Sequence, residues 1–97
     1  MRQLLVRPAA AADIEEAYLW YEEHREGLGE EFLAAVDSLL GEIVAHPTTY
    51  PVIHRDARRA LLRRFPYAVF FRTYGETVVV LACMHGRHGP IRWKTRT

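Results

Sequence analysis

The run Thr77-Val78-Val79-Val80-Leu81-Ala82-Cys83-Met84 limits the fold more than any other part of the chain. It is β-branched or apolar at successive positions, without the polar alternation of a half-exposed strand. That pattern predicts a central strand covered on both faces. The stretch is far short of the roughly 20 apolar residues that span a bilayer. With 97 residues the chain forms one domain, residues 1–97, and has only a modest surplus of buried surface to stabilise it. The remaining elements must therefore supply the cover for this strand.

Leu4-Leu5-Val6 predicts a short strand ended by Pro8, which has no ladder donor. Asp13 followed by Glu16 has capping-box spacing, and Ile14, Ala17, Tyr18 and Tyr21 then form one apolar stripe of a helix running to about Arg25. Gly27-Leu28-Gly29 breaks it. A second helix follows over about Leu28–Ala45, with Phe32, Val36, Leu39 or Leu40, and Ile43 on its buried side and His46-Pro47 as its stop. Two helices joined so closely read as an antiparallel hairpin. Thr48–Asp56 reads as a loop. Strands are expected at about Arg58–Phe65, Ala68–Tyr74 and Thr77–Met84, with a bend at Pro66 and a tight turn at Gly75-Glu76. Val69, Phe71 and Thr73 should face one side, and Ala68, Phe70, Arg72 and Tyr74 the other. The fold class is α+β: an N-terminal strand and a helix hairpin packed on a small, mainly antiparallel sheet. The helices fill one sheet face, leaving the tail after Gly86 or a bound partner to cover the other.

Charge is divided along the chain. Residues 1–49 hold ten acids against three arginines, whereas residues 50–97 hold Asp56 and Glu76 against nine arginines and Lys94. Acidic helices and a basic sheet point to a polyanion or an acidic protein as partner. The opening residues have a three-residue apolar core and no small-residue cleavage site, so no signal peptide is expected. Cys83 is the single cysteine, which excludes an internal disulfide and a thiolate zinc cluster and fits a reducing compartment, the cytoplasm. It reads as a small buried hydrophobe.

The basic residues form two groups. Arg55, Arg58, Arg59, Arg63 and Arg64 surround the first strand of the sheet, where Arg58 shares parity with Arg64 and Arg59 with Arg63. His85, Arg87, His88, Arg92, Lys94 and Arg96 occupy the strand end and tail. Arginine's planar donors suit phosphate or carboxylate; the same charges also suit a solvated edge strand. In His85-Gly86-Arg87-His88-Gly89-Pro90, a histidine beside an arginine has the chemistry to move a proton and stabilise a developing phosphorane charge. A packed histidine in a glycine-shaped turn is the simpler alternative. His85 and His88 alone do not make a metal set, and no cofactor motif occurs. Trp93 suits base stacking, a protein contact or a core plug. Trp20 and Tyr21 are adjacent and cannot face the same way, so one of them is left for a partner or a second copy.

Tyr21, Gly27-Leu28-Gly29, Phe32, His46-Pro47 and Tyr50-Pro51, followed by Arg63-Arg64-Phe65-Pro66-Tyr67, the apolar hairpin, and His85-Gly86-Arg87-His88-Gly89-Pro90 with Trp93 and Arg96, resemble the RelE/ParE toxins over nearly the whole chain. The resemblance implies a β-α-α-β-β-β arrangement and the toxin half of a type II toxin–antitoxin pair. It also implies an antitoxin with a largely acidic C-terminal segment that wraps the toxin, as a homodimer or a mixed assembly such as a heterotetramer. RelE-like members cleave messenger RNA on the ribosome, and such an activity would fall here to Arg64, His85 and Arg87. ParE-like members poison DNA gyrase without that set. No tyrosine follows Tyr74, and Trp93 cannot serve as an acid or base. The helix hairpin and Phe65-Pro66-Tyr67 look more like the ParE side. An antitoxin or nucleic acid would meet Arg58, Arg59, Arg63, Arg72, His88, Arg92, Trp93, Lys94 and Arg96. A toxin-like fold kept as an inert binding module is the third expectation.

Overall fold

The computed structural model describes residues 2–86, so Arg87, His88, Arg92, Trp93, Lys94 and Arg96 lie outside the described residues. The elements run β1 (Gln3–Val6), α1 (Pro8–His24), α2 (Leu28–Ala45), a 3-10 turn (Pro47–Thr49), β2 (Val52–His54), β3 (Ala57–Leu61), β4 (Tyr67–Tyr74) and β5 (Thr77–His85). They build one five-stranded sheet in the order β1-β5-β4-β3-β2. Only β1, beside β5, is parallel; the other pairs are antiparallel. The expected α+β class and helix hairpin are present, with β5 inside the sheet.

Three local expectations need correction. α1 begins at Pro8 rather than at Asp13, with Arg7 as its N-cap. Proline is tolerated at a first helical position, where its missing N–H had no intrahelical partner, and Ala9–Ala12 are strong helix formers. The predicted loop Thr48–Asp56 contains β2, a three-residue edge strand that turns into β3 through Arg55-Asp56, with Arg55 at φ 54°. β3 ends at Leu61, short of Phe65. Leu62 and Phe65 nonetheless bury their side chains, and the Leu62 N–H donates to the Tyr67 carbonyl at 3.0 Å, so the connection to β4 folds back into the core.

Two apolar clusters share the sheet. On the helix side Ala10, Ala17 and Tyr21 of α1 and Phe32, Val36 and Ile43 of α2 meet Val69, Phe71, Val78, Val80 and Cys83. The other cluster joins Ala57, Ala68, Phe70, Val79, Leu81, Ala82 and Met84, with Ile53 against it. β4 thus alternates as its sequence dictates. β5 does not, because Phe70 pairs with Ala82 and Phe71 with Val80, leaving Leu81 as an extra residue. This bulge sends both Leu81 and Ala82 to the face away from the helices and restores Cys83 to the helix side.

The helix hairpin is closed by Glu22. Its carboxylate accepts the N–H of Gly27 at 3.0 Å and of Gly29 at 2.9 Å, satisfying donors at the start of α2. Gly27 holds a left-handed φ of 87°, which turns the chain between helices. Gly29 is required for a different reason: a Cβ there would lie 2.7 Å from the Tyr18 ring and 2.8 Å from the Tyr18 carbonyl. Gly29→Ala should therefore cost about 1–3 kcal/mol by forcing the helices apart. Gly41 in α2 has open space around it, and Gly41→Ala should gain roughly 0.5–1 kcal/mol. Thermal denaturation of the two variants should give shifts of opposite sign.

Candidate functional site

The basic residues expected to act together are distributed over three surfaces. Arg59 and Arg72 are on the face away from the helices, where Arg59 sits opposite Phe70 and Arg72 follows two residues along β4. Arg72 is buried. Its guanidinium pairs with Asp56 at 2.9 Å and donates to the Tyr74 hydroxyl at 2.8 Å, tying the β2–β3 turn to β4. Exposed Leu61 and Tyr74 belong to the same face. Arg59 with these side chains therefore presents a mixed cationic and apolar strip.

Arg58 points the other way and donates to the Tyr50 carbonyl at 2.6 Å, anchoring the segment before β2. Because β3 ends at Leu61, Arg63 and Arg64 lie in the connection to β4, and the parity expected to pair them with Arg59 and Arg58 does not apply. Arg63 and Arg64 line a shallow cavity of about 240 Å³ beside α2, with Ser38, Leu39 and Glu42. Arg64 binds Glu31 of α2 at 2.8 Å, and Arg25 reaches the other carboxylate oxygen at 3.0 Å. Glu31 is thus a clamp between the end of α1, the start of α2 and the β3–β4 connection.

His85 ends β5, opposite Tyr67, and the two rings meet edge to face at 5.3 Å between centres. It lies on the α1 side of the sheet, and the next residue, Gly86, donates its N–H to the Pro66 carbonyl at 2.8 Å, beside the connection that carries Arg64. Arg87, the third member of the expected nucleolytic set, is outside the described residues. Among the described residues, no three His, Cys, Asp or Glu side chains are placed to hold a metal ion.

Two features were missed from sequence. Asp13, expected as a helix cap, instead accepts the Cys83 N–H at 3.0 Å. β1 pairs with β5 only as far as Val80, so the carboxylate satisfies an amide beyond the end of that ladder. The second is a large cavity on the α1 side of the sheet, lined by Trp20, Tyr67 and His85 among others. Tyr21 is buried and Trp20 is half exposed, so Trp20 is the one of the pair that reaches the surface.

Burial, and then the Asp13 carboxylate, push the Cys83 thiol up to about 12. In the native protein Cys83 should fail to react with a thiol-specific disulfide reagent at pH 8, and should react stoichiometrically once denaturant is added. Arg64 first, then Arg25, hold the Glu31 carboxyl below its ordinary value. A depressed folded-state value stabilises the fold above the unfolded carboxyl range, near pH 4.3, and that contribution is lost as pH falls through the depressed value. Glu31→Gln should accordingly lower the melting temperature at neutral pH, and the difference from wild type should shrink in acid.

The chain matches the family model for the ParE toxin of type II toxin–antitoxin systems, parDE, over residues 4–90. Toxin ParE2 of Mycobacterium tuberculosis, strains CDC 1551 / Oshkosh and H37Rv, is 28% identical over 90 residues, covering 92% of this chain and 86% of the relative. A solved chain described as a chromosomal ParDE TA system from P. aeruginosa superposes with a TM-score of 0.67 at 23% identity, covering 88% of this chain and 96% of that one. That structure establishes likeness of fold. The family match takes in both helices and, from Leu4 of β1 onward, every strand of the sheet, and on that match the chain belongs to the ParE toxin family of type II toxin–antitoxin systems.

Proposed function

We propose that the protein is a growth-inhibiting toxin neutralised by a cognate antitoxin with an acidic segment, and that it acts in the cytoplasm on DNA gyrase without catalysing a reaction of its own. The observation that carries the reading is the family match over residues 4–90. The contacts that two of the candidate nucleolytic residues already make within the fold support it. Arg64 is held by Glu31 at α2, and His85 stands against Tyr67 on the α1 side. Phosphodiester cleavage through a 2′-hydroxyl needs a proton-transfer group and a cation at one phosphate.

The antitoxin segment is placed on the strip formed by Arg59, Leu61 and Tyr74, with Phe70 and Arg72 behind it. Carboxylates on such a segment would find the Arg59 guanidinium, and its apolar side chains would cover Leu61. The tail residues Arg87, His88, Arg92, Trp93, Lys94 and Arg96 extend this reading as further antitoxin contacts. Homodimeric and heterotetrameric assemblies both accommodate such a contact. The second reading is a ribosome-dependent RNase using Arg64, His85 and Arg87, and the third is a binding module without toxicity.

One expression experiment separates the three. Under the gyrase reading, induction without antitoxin should arrest growth, raise the SOS response and relax plasmid DNA, with translated messages intact. Message cleavage with supercoiling unchanged would instead establish the RNase. Normal growth with soluble folded protein would leave the binding module. Arg59→Glu should weaken antitoxin binding roughly tenfold, about 1.4 kcal/mol, and flatten its dependence on salt, measured by calorimetry with the cognate antitoxin.

A further inference from the structure

The large cavity on the α1 side has a chemistry opposite to that of the sheet face. Its volume is about 760 Å³, enough to take a long side chain together with part of the backbone that carries it. Leu19, Trp20, Pro66 and Tyr67 form apolar and aromatic walls. Leu19 and Trp20 are each about half exposed, at 51% and 52%, which is unusual for large apolar residues next to each other on a helix. The Trp20 ring is not loose: it stacks on His24 with centres 3.8 Å apart and meets Tyr21 edge to face. The Trp20 carbonyl oxygen lies 2.7 Å from Nδ1 of His24, which must carry the proton because the carbonyl can only accept. This bond fixes His24 beneath the indole.

The cavity also has a definite sign. Glu16 and Glu23 stand on its wall, and neither forms an ion pair with another described residue. The field of Glu16 reaches inward: the Tyr67 phenol is raised by burial first, then by the Tyr21 phenol and the Cys83 thiol, and after them by Glu16 and Asp13. An aromatic wall beside carboxylates that have no ion-pair partner among the described residues favours a cation, and a guanidinium above all, because it stacks on a ring while its edge donates to carboxylate.

We infer that this cavity is a docking pocket for an arginine or lysine side chain presented by a partner protein. Charge complementarity fixes the occupant's chemistry. It also separates this surface from the one assigned to an acidic antitoxin, whose carboxylates Glu16 and Glu23 would repel. The inference therefore goes beyond the antitoxin reading and does not depend on it.

The test uses the full chain and three isosteric probes: benzamidinium, neutral benzamide and benzoate. Binding is followed at pH 7.5 through the indole N–H resonance of Trp20, assigned with Trp20→Phe. Benzamidinium should shift that resonance saturably and bind at least tenfold more tightly than benzoate, with benzamide between them. In a Glu16→Gln/Glu23→Gln variant, both changes being on the solvent-facing wall, benzamidinium should fall to the affinity of benzamide. Equal or tighter binding of benzoate would overturn the inference. So would the absence of any saturable shift, or an unchanged preference for benzamidinium in the double variant.

Discussion

Burial of β5 on both faces is the constraint from which the other elements take their places. Its residues from Val78 to Met84 are all buried, and they serve two clusters at once. A single layer of helices can satisfy only one of them. Neighbours on both edges then become necessary, since an apolar strand with a free edge is prone to pair with other chains. β4 covers one edge along its length, but β1 covers the other only from Thr77 to Val80. Beyond Val80, where no described strand continues β1 along that edge, Asp13 supplies a carboxylate to the Cys83 amide, and His85, at the end of β5, lines the large cavity. The short first strand and the cavity are thus consequences of one arrangement.

How much of this was legible in the sequence depended on the range of the interaction involved. Local patterns read well. The α2 stripe, the Gly75-Glu76 turn and the alternation of β4 follow from side-chain period alone, and the structure keeps them. β5 departs from a period of two at Leu81, and nothing in Val80-Leu81-Ala82-Cys83 marks a bulge, because every residue there is apolar on either face. Asp13 misled for a related reason. Its spacing to Glu16 suits a cap, but alanine favours helix enough to carry the helix start back to Pro8, which frees the carboxylate for a contact 70 residues away. β2 was hidden by its length: three residues after Pro51 offer too few positions for alternation to show.

The candidate site was legible as residue types and illegible as groupings. Arginines are visible one by one, yet Arg64 and Glu31 are separated by 33 positions, and their meeting depends on how the helix hairpin sits on the sheet. The consequence is a change in what the charge division means. Part of the basic half is engaged internally, Arg64 by Glu31, Arg72 by Asp56 and Arg58 by a backbone carbonyl. The cations expected to form one binding surface are therefore in part fastenings between elements. A shorter set, led by Arg59, remains for an outside partner.

The same subtraction applies to the acids, and it leaves two surfaces of opposite sign. Glu22 closes the hairpin, Glu31 clamps two arginines and Asp13 holds a strand amide, while Glu16 and Glu23 line the cavity beside Trp20. The helix layer is about 10 Å thick, wider than the Debye length of about 8 Å at physiological salt. A partner charge on the sheet face is therefore largely screened from the outer wall of α1. Under the two proposals each surface would select by repulsion as well as attraction: an acidic segment suited to Arg59 would be turned away by Glu16 and Glu23, and a basic side chain suited to Trp20 would be turned away by Arg59. Two partners of opposite charge can occupy such a molecule together, because neither gains by exchanging places with the other.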